Sequence, residues 1–217
     1  MTRKDRLERI AGVLREGRVL IAMGLTIELG QDVVLGARRM VFAMTGTRAA
    51  AAPVNLPERV EIHRHGIWAG VPQDLRAQIS AAVSWDGAAM LGAGAELWVA
   101  MRDGRAMAYA ITRRGDRVGI YFFPLTERCS LVSHCLTMPE VRRQGFYTQM
   151  LHYIGRTLAS EGQMRLYIDC SASNVASQRG IRRAGYAEIG CGRHRRSGAT
   201  LWWQKAPPSV FRLEAGG

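Results

Sequence analysis

Residues 136–147 read Leu-Thr-Met-Pro-Glu-Val-Arg-Arg-Gln-Gly-Phe-Tyr: the end of an apolar run, a proline, two arginines and a glycine, leading into a helical pattern. That order suits an anion. A glycine lets the backbone approach a ligand closely, and the amides of a loop and helix start point their donors outward. Arg142 and Arg143 would add charge-assisted contacts to phosphate. Just upstream, Ser133, His134 and Cys135 bring a hydroxyl, an imidazole and a thiol together on one short strand candidate. Strict alternation over residues 131–137 puts Leu131, Ser133, Cys135 and Thr137 on one face. His134 falls on the other, as a packed or hydrogen-bonded histidine. Glu127 and Asp169 are the carboxylates to consider, each also readable as a loop or strand-end charge. Cysteines 129, 135, 170 and 191 form no CxxC pair and no Cys/His spacing, so no metal is expected and they read as reduced thiols.

The loop at 136–147 resembles the acyl-CoA-binding motif of the GNAT superfamily of N-acetyltransferases. There a strand ends near a proline, and Arg/Gln-x-x-Gly-x-Gly/Ala opens a helix. Arg142 and Gly145 fill the first two fixed positions. Tyr147 stands where the family usually has Gly or Ala, which narrows the loop. A second block, Asn174-Val175-Ala176-Ser177 and then Arg182-Arg183-Ala184-Gly185-Tyr186, resembles the family's N-x-x-A/S … K-x-G-F ending. The resemblance covers residues 58–205. It implies an α+β fold with a mixed, mostly antiparallel central sheet flanked by helices, and acetyl-CoA as co-substrate.

By that resemblance, the amides of Arg143, Gln144, Gly145, Phe146 and Tyr147 hold the pyrophosphate, with Arg142 and Arg143 adding charge. Leu136 and Thr137 lie on the strand that pairs with the pantetheine arm. The Cys135 amide polarises the thioester carbonyl. Asn174 bonds the pantetheine or a nearby main chain. Many relatives use a tyrosine on the last helix as the acid; Ile181 stands there, leaving Tyr147, Ser133 and Tyr186 as candidates near the thioester. A covalent route through Cys135 is the minor alternative, since no His–Cys–Asp arrangement can be read from spacing.

The implied activity is transfer of an acetyl or other short acyl group from coenzyme A to a primary amine of a small acceptor. The Thr-Met-Pro-Glu-x-Arg-x-Gln-Gly-Phe-Tyr run also resembles GNAT proteins of bacterial surface-glycan biosynthesis, which would make the acceptor an amino sugar. Two other readings compete: acyl transfer from acyl carrier protein, and an Arg-rich nucleic-acid binder. The second is disfavoured, because the basic residues are scattered and lack aromatic interleaving.

Charge is the compositional outlier. Among 217 residues, 30 Lys and Arg face 18 Asp and Glu, for a net +12, and only Lys4 and Lys205 are lysines. Residues 1–50 carry nine basic and five acidic residues, 51–99 three and five, and 100–217 eighteen and eight. An anionic ligand explains part of the excess in the last segment, and the surplus suits an anionic acceptor, a carrier protein or a membrane face. A polycationic acceptor would want more acids than this chain has. The longest early charge-free run, 19–27, is far below the roughly 20 residues of a membrane span. With no signal peptide evident, a cytoplasmic protein is expected, with a peripheral contact at the inner membrane face as the alternative for its basic preface. The pattern specifies no oligomeric state.

Three segments are expected: a helical N-terminal extension over 1–50, the acyltransferase domain over 58–205, and a tail over 206–217. The extension reads as helices near 7–14 and over 31–44, then a linker to Pro53. Strands are expected at 59–65, 96–101, 106–112, 118–123, 131–137, 165–170, 187–192 and 200–204, with Asp103-Gly104 as a hairpin turn. Helices are expected at 72–85, 145–160 and 175–184.

Overall fold

The computed structural model describes residue 11 and residues 37–82, 86–194 and 200–204. Eight strands form one sheet in the order β2-β3-β4-β5-β6-β1-β7-β8. They are β1 (Arg38–Thr45), β2 (Val60–His65), β3 (Ala95–Arg102), β4 (Arg105–Arg114), β5 (Cys129–Thr137), β6 (Arg165–Ser171), β7 (Ala187–His194) and β8 (Thr200–Gln204). Every neighbouring pair is antiparallel except β5 with β6. The described helices are α1 (Gly46–Ala50), α2 (Gln73–Ala82), α3 (Gly87–Gly92), α4 (Phe146–Ser160) and α5 (Val175–Arg183). The expected mixed, mostly antiparallel sheet with flanking helices is therefore present.

α4 is the crossover that makes the β5–β6 pair parallel. Met150, Leu151, Ile154 and Leu158 recur at helical spacing and are buried on the sheet. Trp98 meets Tyr153 of α4 edge to face and donates its indole N–H to Thr112 Oγ1 at 2.8 Å. Arg64 lies over the Trp98 ring and binds both Glu96 and Glu161, tying β2 and β3 to the end of α4. Alternation sends Leu97, Val99 and Ile111 to the opposite face, where α2 and α3 cover β3 and β4. Asp86 caps α3 by accepting the Ala88 and Ala89 amides at 2.9 and 3.1 Å, a helix missing from the sequence reading.

Two expectations are corrected. The helix read over 31–44 is, from Arg38 onward, strand β1, and it sits between β6 and β7 rather than outside the domain. A strand covered on both faces reads as a continuous apolar run, which periodicity alone does not distinguish from a helix. Val41, Phe42, Ala43 and Met44 are all buried. The expected linker after it holds α1, whose Gly46 lies against the Gln163 carbonyl so closely that a Cβ would sit 2.4 Å from it. The helix expected near 7–14 lies, apart from helical Ala11, outside the described residues, as do 206–217.

The strand expected at 118–123 is instead part of an irregular loop. Its aromatics pack flat on the sheet rather than joining the ladder. Phe122 stacks on His194 and Trp202, with ring centroids 4.3 and 5.9 Å apart, and Phe123 meets Tyr167 and Trp202. Gly192 is required beneath Phe122, because a Cβ there would come within 2.3 Å of the ring.

If β1 is an integral central strand, Phe42→Ala will lower the unfolding free energy by about 3–5 kcal/mol in urea denaturation, the cost of emptying a buried aromatic site. A loss under about 1 kcal/mol, the scale of a surface change, would return residues 38–45 to the status of an appendage.

Candidate active site at the fork of the sheet

β5 and β6 pair only over residues 129–132 and 165–168. Beyond Val132 and Ile168 the ladder stops, and a fork opens between the strands. A β-bulge in β5 stands at the same place. Ile111 pairs with Ser133 and Tyr109 with Leu136, so Ala110 alone faces His134 and Cys135. His134 takes a left-handed φ of 49°, a conformation His adopts more readily than most side chains.

The bulge resets the alternation. Leu131, Ser133 and Leu136 share the face of Ile111 and Tyr109, while Val132 and Thr137 share the face of α4. The expectation that Ser133 and Cys135 share a face, with His134 opposite, is therefore corrected. His134 Nδ1 lies 3.1 Å from Ser133 Oγ, and Cys135 turns to the α4 side, beside Tyr147.

On the α4 side the fork is closely packed. Tyr147 Oη lies 3.1 Å from Ser177 Oγ on α5. Its ring lies flat on Gly180, where a Cβ would meet it at 2.4 Å. Tyr147 thus leans across to α5 instead of filling the loop. Burial pushes the Cys135 thiol up to about 12, only partly offset by the Tyr147 hydroxyl. Such a thiol stays protonated near neutral pH, which argues against the covalent route. Burial, and then the neighbouring Cys135, raise the Tyr147 phenol as well. Tyr186 is buried with no partner for its hydroxyl. Ile181, at the position where relatives carry an acid, is a fully buried core residue.

The other face carries the titratable groups. Arg39 of β1 pairs through Nε with Asp169 of β6, and its Nη2 donates to the Asp169 carbonyl at 3.4 Å. Tyr121 Oη, from the loop over this face, is buried beside Asp169. His134 is held below the usual histidine range by partial burial, then by the Arg39 and Arg113 charges, with Asp169 opposing. His194 is lowered mainly by burial. Although His134 sits on a central strand, it is exposed: α3 covers β3 and β4 on one side, and the aromatic loop covers β6 to β8 on the other. Glu127 is an exposed loop residue and does not join this cluster.

The loop between β5 and α4 presents donors. It runs through a 3-10 turn at Pro139–Val141, then Arg143 at φ 67° and Gly145 at φ 83°. Phe146 is buried and anchors the helix start, whereas Arg142, Arg143, Gln144 and Gly145 are exposed. The Arg142 amide reaches the Pro139 carbonyl at 3.4 Å and the next to reach a backbone carbonyl is Gln149, to Gly145 at 3.1 Å, so the amides from Arg143 to Thr148 have no backbone partner among the described residues. A Cβ on Gly145 would meet nothing within 4 Å, so the space above it is open. Arg142 Nε donates to the Thr137 carbonyl at 3.3 Å, pinning the loop to the half-buried end of β5 near Leu136. Asn174 caps α5, its side-chain oxygen accepting the Ser177 amide at 3.0 Å, which is the main-chain option of its two expected roles.

Arg39 and Tyr121 had no signal as site residues in the sequence, because each reaches the fork from a distant element, whereas Ser177 lay within the second family block. No group of three metal-ligating side chains occurs among the described residues. None of the described helices is long and apolar enough to cross a membrane.

Residues 68–186 match the family model of the acetyltransferase (GNAT) family. The fold is similar to that of a Drosophila protein solved by structural genomics, at TM-score 0.52 and 16% identity over 78% of this chain and 55% of that one. It is also similar to GCN5-related N-acetyltransferases from Kribbella flavida (TM-score 0.51, 16% identity, 78% and 58% covered) and Sphaerobacter thermophilus (0.53, 13%, 77% and 54%). The chain thus spans little more than half the length of these structures. No curated protein matches it. Because the family model covers more than half of the chain and its glycine loop and forked sheet are both in place, the protein belongs to the GNAT acetyltransferase family.

Proposed function

We propose that this protein transfers an acetyl or other short acyl group from coenzyme A to a primary amine of a small acceptor. The observation that carries this reading is the fork. It separates a protonated, buried phenol on one face from a neutral, accessible imidazole on the other. Coenzyme A supplies the acyl thioester. The loop fits its phosphates, because six consecutive free amides, two exposed arginines and open space above Gly145 converge there.

The side chains then divide the work by face. His134, neutral because of its surroundings, accepts the proton that the acceptor nitrogen must lose. Arg39 and Asp169, bound to each other, keep that face polar. The Cys135 amide, in the bulge, is the donor toward the thioester carbonyl oxygen. Tyr147, protonated and bonded to Ser177, supplies the proton for the departing thiolate. Ser133 fixes the His134 ring through its hydroxyl instead of reacting itself. Leu136 and Thr137 flank the opening, and Asn174 supports it by holding the start of α5.

The acceptor is a small amine that reaches the His134 face. The likeness to surface-glycan enzymes rests on loop residues that serve the cofactor end, so it does not bear on the acceptor. A carrier-protein or membrane contact would use the basic surface.

Two measurements test this reading. Acetyl-CoA should raise the melting temperature of the full chain, and Gly145→Val should abolish that rise. A β-branched residue adds about 1–2 kcal/mol of left-handed strain and fills the phosphate approach; an unchanged shift would sink the loop assignment. For chemistry, His134→Ala should lower kcat by about 100- to 10,000-fold, with acetyl-CoA binding retained. In the wild type, activity should rise with pH through a value below about 6.5, since His134 must be neutral to accept a proton and its surroundings favour the neutral form. That acid limb should vanish in the variant; its persistence would assign it to another group.

A further inference from the structure

Arg113 of β4 lies on the same face as Ser133 and His134, paired in register with Leu131. Its guanidinium has no oxygen partner among the described residues. Nη2 reaches only the Met90 thioether of α3, at 3.4 Å, and Nε is buried with no acceptor. A half-buried cation without an acid or carbonyl beside it is costly unless something else completes it. The other cation whose charge reaches His134, Arg39, is already paired with Asp169. The cluster around His134 therefore carries one uncompensated positive charge, and it belongs to Arg113.

The position has a use. Arg113 stands two residues, roughly 7 Å, along β4 from Ile111, the partner of Ser133. Its long side chain covers such a distance, and its charge is felt at His134. A molecule whose amine meets His134 would thus present its next few atoms to the guanidinium. β4 is paired on both sides there, so it supplies no cluster of free amides, and no second unpaired cation stands alongside among the described residues. One planar fork fits one planar monoanion better than a phosphate dianion, which would ask for more donors.

We propose that the acceptor is an amino carboxylate, and that Arg113 is the residue that binds its carboxylate while His134 meets its amine. This rests on the acyltransferase reading above and narrows it to a substrate class. It also accounts for Met90: α3 places a polarisable, apolar wall against the guanidinium, leaving its charge for the ligand.

The test uses the full chain, acetyl-CoA and release of free thiol, over matched acceptor sets of amino acids, their carboxamides and the corresponding aminophosphonates. Amino carboxylates should exceed their carboxamides in kcat/KM by about 10- to 100-fold, the worth of a charged hydrogen-bonded pair. Arg113→Met should erase that gap through KM, leaving the acetyl-CoA melting shift intact, and Arg113→Lys should restore part of it. If Arg113→Met does not fold, the lysine variant alone decides, through a partial loss of the gap. Equal or better use of carboxamides or phosphonates, no accepted carboxylate, or a gap that survives at position 113 would overturn the proposal. The two readings fail separately. If acetyl-CoA gives no melting shift, the acyltransferase reading falls. The carboxylate site is then read by the shift that amino acids alone produce: a shift lost in Arg113→Met supports it, and no shift overturns it.

Discussion

The chemistry of this protein depends on one ladder stopping early. β5 and β6 form the only parallel pair among the described strands, and their hydrogen bonds end after Val132 and Ile168. β6 cannot follow β5 further, because β1 holds it along its whole length from the other side. β5 in turn stays with β4 through Thr137. The bulge at His134 and Cys135 accommodates the difference by bending β5 where the pairing ends. The result is a gap in the middle of a sheet, bordered by backbone groups that no neighbouring strand satisfies.

That gap divides two environments. On the α4 side, Tyr147, Cys135 and Tyr186 are packed among core residues, and burial favours their protonated forms. On the other side, α3 and the aromatic loop leave a strip uncovered over β5, and His134 lies in it with Arg113 and the Arg39–Asp169 pair. Acyl transfer to an amine needs a proton taken at one atom and delivered at another. A sheet with a gap can keep the two groups apart, so that neither neutralises the other before a substrate arrives. Exposed arginines, Arg142 and Arg143, stand on the loop at the start of α4.

β1 links this arrangement to the start of the chain. It is buried on both faces, separates β6 from β7, and contributes Arg39 to the fork. The segment therefore serves the core and the site together. Gly190 and Gly192, further along the sheet, show a related economy of space. The absence of side chains there lets Trp202 and Phe122 lie on the backbone, which holds the 118–128 loop close enough to bring Tyr121 near Asp169.

The sequence by itself determined the elements that follow local rules. The glycine loop and its arginines, the amphipathic α4, the Asp103-Gly104 hairpin and the order of strands from β2 to β8 are all set by residues a few positions apart, apart from the single mistaken strand at 118–123. The loop's role as a donor cradle was legible for the same reason, since Gly145 and the helix start are adjacent in the chain. Three things were settled only by tertiary structure. Residues 38–45 became a strand because both faces found cover, and an apolar run alone does not show what will cover it. Tyr121 and Phe122 left the ladder because distant glycines offered them a flat surface. His134 and Cys135 exchanged faces because β4 and β5 pair with one residue opposite two, a mismatch that exists only between strands. The glycine loop was therefore local information, but where the ladder stops and which side chains look into the fork from each face were decided by the register of the sheet.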